Sequence, residues 1–253
     1  MATQLSEPKS LAPMVISWEP LPDDFRLEEK PVENINHPLL AGVLREILEI
    51  AGYILPTMLI ASNFGLCVTL NNQPIIKAPD WVFVNRVNEV LRERKSYTPN
   101  LEGDIPSVVM EFVSNSEGEE YSSKQTHPPG KWFFYEQIIK VPIYIIFYPD
   151  GGLLEFYKLE NGHYQLKLPD AQGRHWIDSM GLFLDTWQGT KESRTGYWLR
   201  WWDEAGNLLP WAVEKVEVER QRAEQERQEK EKLSAYLQSQ GIDPNNLPPI
   251  GSN

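Results

Sequence analysis

Two acidic residues lie at positions where the surrounding sequence is apolar. Asp80 follows Pro79 at the start of the run Trp81 to Val84, and Glu111 interrupts the run Val108 to Val113. A buried carboxylate costs several kcal/mol unless it is paired, protonated or bound to a metal ion, so packing alone does not explain these residues. Two carboxylates on neighbouring strands predict a site for Mg²⁺, which binds carboxylates together with water and substrate phosphate oxygens.

A cation that stabilises charge on a transferring phosphoryl group would complete such a site. Lys131 and Tyr135 lie one helical turn apart at the start of the helix predicted after Glu111, and they therefore face the same way. Structural roles are the alternative at each position. Asp80 could accept hydrogen bonds from backbone N–H groups at a strand start, Lys131 could cover neighbouring aromatic residues, and Tyr135 could pack in the core.

The other reactive residues indicate no different chemistry. His127 is the histidine nearest to the predicted site in the sequence but belongs to a polar loop, and His37, His163 and His175 have no partners at ligand spacing. Cys67 is the only cysteine, which excludes an internal disulfide, and its apolar neighbours predict a buried hydrophobic residue. The sequence contains no P-loop, dinucleotide-binding fingerprint or nucleophile elbow.

The elements that must position these residues follow from hydrophobic periodicity and turn signals. They are a helix over about 38–51, strands over 64–70, 81–84 and 107–113, a helix over 131–139, and strands over 141–148, 153–157 and 164–168. The strand, loop, helix and strand of residues 107–148 favour parallel pairing through a right-handed crossover. Antiparallel hairpins on either side then predict an α/β fold with a mixed central sheet flanked by helices.

Composition divides the chain into four segments. Residues 1–36 combine prolines with many charges, which predicts an extended N-terminal arm, and residues 37–190 contain the predicted α/β core. Residues 191–211 are predicted to be a Trp-rich connection, and residues 212–253 a charged helical tail.

The tail has no continuous coiled-coil seam, because only Ala223 is apolar between Glu219 and Lys232. Opposite charges three or four residues apart instead predict a solvent-exposed helix. A helix that binds a partner or a second copy of the chain is the alternative. The predicted pairs are Glu219 with Arg222, Glu224 with Arg227, and Glu226 with Lys230.

The order of the motifs resembles that of a known protein family. Pro79-Asp80 is followed by Val109-Met110-Glu111-Phe112-Val113-Ser114, then by Lys131 and Tyr135, and then by a strand led by Val141-Pro142. Over about residues 37–190 the chain resembles the Uma-two family of restriction-type endonucleases, which belongs to the PD-(D/E)XK nuclease superfamily. The resemblance implies a restriction endonuclease-like fold.

The same resemblance implies that Asp80 and Glu111 bind Mg²⁺ or Mn²⁺ in a hydrolase that cleaves the phosphodiester bonds of DNA. The superfamily motif has a lysine two residues after the glutamate, where this chain has Val113. In this family a lysine on the following helix is thought to replace it, and Lys131 is the matching residue. Tyr135 matches the family's tyrosine one turn later.

The departure at Val113 and the charge of the chain leave two functional hypotheses. The formal net charge is −12, whereas a nucleic-acid-binding protein is expected to carry a basic surface. The carboxylate in an apolar strand favours a metal-dependent endonuclease, in which Lys124 of the preceding loop is the alternative lysine. Acidity and the missing lysine favour a nuclease-fold scaffold that binds a protein partner through its C-terminal region. The absence of a signal sequence or a membrane span predicts a cytoplasmic protein.

Overall fold

The computed structural model describes residues 14–20, 36–89, 93–113, 129–244 and 246. The chain divides into two compact units, Met1–Leu209 and Pro210–Asn253. Several predictions fall outside the described residues: the alternative lysine Lys124, the loop histidine His127, the loop that contains them, and most of the arm predicted over residues 1–36. The boundaries of the four segments stay predictions.

The described residues of the first unit form three β-sheets and two helices. In chain order its elements are β1 (Ile16–Ser17), α1 (Asn36–Ile50), β2 (Leu59–Ala61), β3 (Gly65–Leu70), β4 (Gln73–Lys77), β5 (Trp81–Val84), β6 (Ser96–Tyr97), β7 (Val108–Phe112), α2 (α-helical over Lys131–Phe133 and π-helical over Phe134–Ile139), β8 (Ile143–Tyr148), β9 (Leu153–Glu160), β10 (His163–Leu166), β11 (His175–Ile177), β12 (Leu182–Lys191) and β13 (Arg194–Trp202).

The central sheet has six strands in the order β10-β9-β8-β7-β5-β2. Strands β7 and β8 pair in parallel, with Glu111 opposite Ile146, whereas the other neighbours in this sheet pair antiparallel. The predicted α/β class with a mixed central sheet is therefore confirmed. Strands β5 and β7 are neighbours, with Trp81 opposite Met110, so Asp80, which directly precedes β5, lies near Glu111 of β7.

Both faces of the central sheet are covered, which explains why β5 and β7 are buried along their whole length. On one face Val82, Val109 and Tyr144 pack in a cluster with residues of α2 and of the small sheet formed by β1, β3, β4 and β6. On the other face Trp81 contacts Trp201 of β13 at 5.9 Å between ring centroids. The indole of Trp201 also donates a hydrogen bond to the Leu44 carbonyl of α1 at 3.1 Å.

The Trp-rich segment differs from its prediction as a connection. It forms strand β13, which pairs with β12 along its whole length, and residues 198–201 are all buried. Because this stretch has no alternation of apolar and polar residues, the period-two signal of a half-exposed strand is missing. The three strands β11, β12 and β13 form a sheet of their own.

The second unit contains one long helix, α3 (Ala212–Ser239), which agrees with the predicted charged helical tail and has no buried residue. The Glu214 carboxylate accepts a hydrogen bond from the Trp211 backbone N–H at 2.8 Å and so caps the first turn. Of the three predicted ion pairs only Glu224 with Arg227 forms, because Arg222 binds Glu226 instead. No helix in the described part of the chain is both long and apolar enough to cross a membrane.

Candidate active site

Glu111 is the centre of the candidate site. Its side chain is 0% exposed within strand β7, yet both of its oxygens are hydrogen-bonded. The Lys131 ammonium donates to Oε2 at 2.8 Å, and the Tyr135 hydroxyl donates to Oε1 at 3.0 Å. The structure therefore brings together three of the four residues predicted from the sequence.

The local structure of α2 explains why both residues reach one carboxylate. Gly130 precedes the helix in an extended conformation, and Lys131 occupies the first helical position. The helix then widens to π-helical geometry from Phe134 to Ile139, and it ends at Lys140 in a left-handed conformation with φ 64°. π-helical turns are rare in proteins, and those that do occur are often found at functional sites. Hydrophobic periodicity predicted a helix here, but it does not distinguish an α-helical turn from a π-helical one.

Asp80, the fourth predicted residue, is tied to the same strand. Its Oδ2 accepts a hydrogen bond from the backbone N–H of Phe112 at 2.6 Å, next to Glu111 in the chain. Asp80 thus has the structural role considered from the sequence, in which its carboxylate accepts a hydrogen bond from a backbone N–H group. It is compatible with a second role, because a carboxylate oxygen offers more than one lone pair. The negative charge of Asp80 also helps to raise the pKa of Glu111, so the two carboxylates are electrostatically coupled.

His37 is a site residue that the sequence analysis missed. Its Nδ1 lies 3.5 Å from Oδ1 of Asp80, and its ring packs edge-on against Phe112 with centroids 5.9 Å apart. The side chain is buried at the second position of α1. One signal was available, because His37 lies on the same helical face as Leu40, Ala41 and Leu44, where a polar residue is unexpected.

Burial controls the protonation of the site. It raises the pKa of Glu111 from 4.5 to about 8, and the negative charge of Asp80 adds to the rise, although Lys131 and Tyr135 oppose it. Burial and the neighbouring Glu111 likewise raise the pKa of Tyr135 well above its usual value. Tyr135 therefore keeps its proton and donates a hydrogen bond near neutral pH. The charge of Glu111, in contrast, depends on the charged groups beside it, Lys131 and Asp80.

The donor atoms fit a hard divalent cation. Asp80 and Glu111 supply carboxylate oxygens, the ligands that Mg²⁺ and Mn²⁺ prefer. In the described part of the chain no three His, Cys, Asp or Glu side chains form a metal-binding group. Two carboxylates are sufficient for Mg²⁺, because this ion usually keeps several waters and takes further ligands from substrate phosphates. A divalent cation would also offset the cost of two carboxylates in this apolar environment.

The other residues considered from the sequence have structural surroundings. Val113 packs in the hydrophobic core on the Glu111 side of the sheet. His163 lies 3.6 Å from Glu136, and His175 stacks on Phe156 with centroids 4.6 Å apart. Cys67 is buried, as predicted, and burial raises its thiol pKa to about 11.

The comparison with solved structures finds a chain that matches part of this one. It is described as the crystal structure of a putative nuclease belonging to DUF820 from Anabaena variabilis ATCC 29413, and it is 13% identical in sequence with a TM-score of 0.36. The match covers 61% of this chain and 79% of that chain. No curated protein matches this sequence.

The comparison with protein families gives a match over most of the first unit. The model of the Uma2 family, described as "Putative restriction endonuclease", matches residues 28–187. This range is more than half of the chain and includes Asp80, Glu111, Lys131 and Tyr135, so the resemblance found in the sequence motifs is confirmed. The chain belongs to the Uma2 family of putative restriction endonucleases.

Proposed function

We propose that this protein is a divalent-metal-dependent endonuclease that hydrolyses phosphodiester bonds of DNA, with Mg²⁺ or Mn²⁺ bound by Asp80 and Glu111. Membership of the Uma2 family supports nuclease activity as a class. The single observation that carries the proposal is the convergence of Lys131 and Tyr135 on the fully buried carboxylate of Glu111, beside Asp80. A protein that needed only a packed core would be more stable with an apolar residue at this position.

Each residue of the site has a distinct proposed role. Lys131 is one-sixth exposed at its side chain, whereas Glu111 is fully buried, so Lys131 is the member of this ion pair that solvent reaches. From that position it can stabilise negative charge on the phosphate under attack. Tyr135 keeps its proton and holds Oε1 of Glu111 in place. His37 is a positioning residue, because its Nδ1 lies 3.5 Å from the Asp80 carboxylate.

The chemistry is the hydrolysis of a phosphodiester. A water molecule attacks phosphorus, the bond from phosphorus to one ester oxygen breaks, and that oxygen leaves as a hydroxyl after taking up a proton. A divalent cation bound by the two carboxylates would lower the pKa of water and neutralise charge on the phosphate. Lys131 would then supply the positive charge that the missing motif lysine at Val113 cannot supply.

A second candidate is a nuclease-fold scaffold that binds a protein partner through its C-terminal region. The net charge of −12 favours it, because acidity weakens binding to a phosphate backbone. The ion pair between Lys131 and Glu111 is also compatible with a stable, inactive site. Both candidates are consistent with the proposed cytoplasmic location.

Nicking of supercoiled plasmid DNA with and without Mg²⁺ or Mn²⁺ tests the proposal. The wild-type protein should nick DNA only with metal, and Glu111→Gln should abolish nicking. Glu204→Gln is the matched control, because Glu204 is an exposed glutamate outside the site. Calorimetric titration with Mn²⁺ separates the two candidates: binding that requires Glu111 supports the metal site, whereas neither binding nor nicking in the wild type supports the scaffold.

A further inference from the structure

Helix α3 leaves large apolar side chains in solvent near both of its ends. Val216 is 67% exposed near the first end, and Leu233 is 60% exposed near the other. The helix has 28 residues, none of them buried. Most helical stability in proteins comes from packing of one face, and the described residues of the second unit provide no element that buries a face of α3.

Several charged residues of α3 lie outside its ion pairs, and Glu219 and Lys230 are among them. Glu217 binds Arg220, Arg222 binds Glu226, and Arg227 binds both Glu224 and Glu231. Among the described residues of the chain, none of these ion pairs includes Glu219 or Lys230, although the sequence pattern predicted that both would be paired. These two residues are of opposite charge, and Glu219 follows Val216 by three residues just as Lys230 precedes Leu233 by three.

The two residues share one face with Val216 and Leu233, whereas the exposed Val213, Val218 and Tyr236 lie on other faces. Spacings of four and three residues alternate along this face, as at the core positions of a two-helix coiled coil, but its middle positions are mostly charged and form no continuous apolar seam. We call this face the α3 seam, and its members are Ala212, Val216, Glu219, Ala223, Glu226, Lys230, Leu233 and Leu237. Its two outer positions at each end are apolar, Glu219 and Lys230 occupy equivalent inner positions with opposite charge, and Ala223 and Glu226 form the centre.

We infer that the α3 seam binds the α3 seam of a second copy of this chain in antiparallel orientation. Val216 then faces Leu233 of the second copy, and Glu219 faces Lys230. The outer layer pairs Ala212 with Leu237, and the central layer pairs Ala223 with Glu226. Because the interface is isologous, each of these layers occurs twice.

Alternative arrangements of the two helices place unfavourable residues together. A parallel pair would set Glu219 against Glu219 and Lys230 against Lys230, which repel. An antiparallel pair shifted by one heptad would bury Glu219 against the apolar Leu237. Polar residues at seam positions specify register and orientation at a cost in stability, so the dimer is weak and sensitive to salt.

The flanks of the interface do not oppose this arrangement. Arg222 lies near Glu229 of the second copy on one side, which is favourable. On the other side Arg220 and Arg227 approach each other, but each is already neutralised by a glutamate of its own helix. The charged layers of the α3 seam therefore decide orientation.

Sedimentation velocity of the full chain over a range of concentrations tests the inference. The wild type should form a dimer that weakens as salt rises. Glu219→Lys and Lys230→Glu should each raise the dimer dissociation constant about tenfold or more, because two attractive layers become repulsive. The double variant should restore the wild-type constant. An equimolar mixture of the two single variants should also dimerise, since each antiparallel heterodimer contains only opposite-charge layers.

Lys232→Glu is the matched control, because it makes the same change of charge on a different side of the helix and should leave the dimer unchanged. Helix content from circular dichroism verifies that every variant is folded. A wild type that stays monomeric up to about 100 μM would overturn the inference, since such a contact would bind more weakly than specific interfaces do. Single variants that dimerise like the wild type, or a double variant that remains weak, would overturn it as well.

Discussion

Replacement of Glu111 by glutamine tests the electrostatics of the site without metal. The carboxyl group has a pKa of about 8 in the folded protein and 4.5 as its reference value. Because the folded pKa is the higher one, the folded state binds more protons than the unfolded state between these two pH values. Stability from the protonated acid is fully present below pH 4.5 and is lost as pH rises through about 8.

The size of this loss follows from the same shift. At about 1.4 kcal/mol for each pH unit, the ionised form of Glu111 destabilises the folded protein by about 5 kcal/mol at high pH. The amide of glutamine resembles the protonated acid in shape and donors, so Glu111→Gln should match the wild type at pH 5. At pH 9 the variant should be more stable, with a melting temperature about 10 °C higher.

Thermal unfolding of both proteins in a chelating buffer, at half-unit steps from pH 5 to pH 9, measures the effect. Titrating groups remote from Glu111 contribute equally to both curves, so the difference between the two reports Glu111 and the groups that interact with it. Glu204→Gln should follow the wild type at every pH, because Glu204 is exposed. A difference between Glu111→Gln and the wild type that is constant with pH would refute the reasoning, as would a variant that is less stable at pH 9.

Three further predictions concern metal and catalysis. Mn²⁺ at a hundredfold excess over its dissociation constant should stabilise the wild type by about 2.7 kcal/mol, which raises its melting temperature by about 5–10 °C. The same Mn²⁺ concentration should not stabilise Glu111→Ala, and equal shifts of the two melting temperatures in differential scanning calorimetry would contradict this prediction. His37→Ala should lower Mn²⁺ affinity about 10- to 100-fold by calorimetry, and His37→Asn should recover part of it, because the amide can also contact Asp80. Lys131→Met should slow plasmid nicking by about 10²–10³-fold while Mn²⁺ affinity stays within about twofold, and a parallel loss of both would argue against a role in charge stabilisation.

Much of the sheet was predictable from local sequence. Strand β5 was predicted with its observed bounds, and β7 within one residue at each end, because short apolar runs between turn signals allow little choice. Strand β4, which pairs with β3 as a hairpin, was not among the predicted strands. Pro74 is accommodated inside β4 because β4 is an edge strand, where the missing N–H faces no partner.

The candidate site was predictable where the sequence places a charged residue within an apolar stretch. A glutamate inside an apolar strand is visible in sequence alone, and so are a lysine and a tyrosine at helical spacing. The contact between Asp80 and His37 was not predictable, because it depends on how the start of α1 packs against Phe112 of the central sheet. No local pattern reports a contact between elements so far apart in the chain.

By itself the sequence determined the α/β class, the family resemblance and the identity of the residues Asp80, Glu111, Lys131 and Tyr135. These depend on periodicity, turn residues and motif order, which are local properties of the chain. Only the tertiary structure decided that Lys131 and Tyr135 bind opposite oxygens of one carboxylate, within 3.0 Å. That geometry depends on the parallel pairing of β7 with β8 and on the π-helical turn, and both arise from packing of the whole sheet.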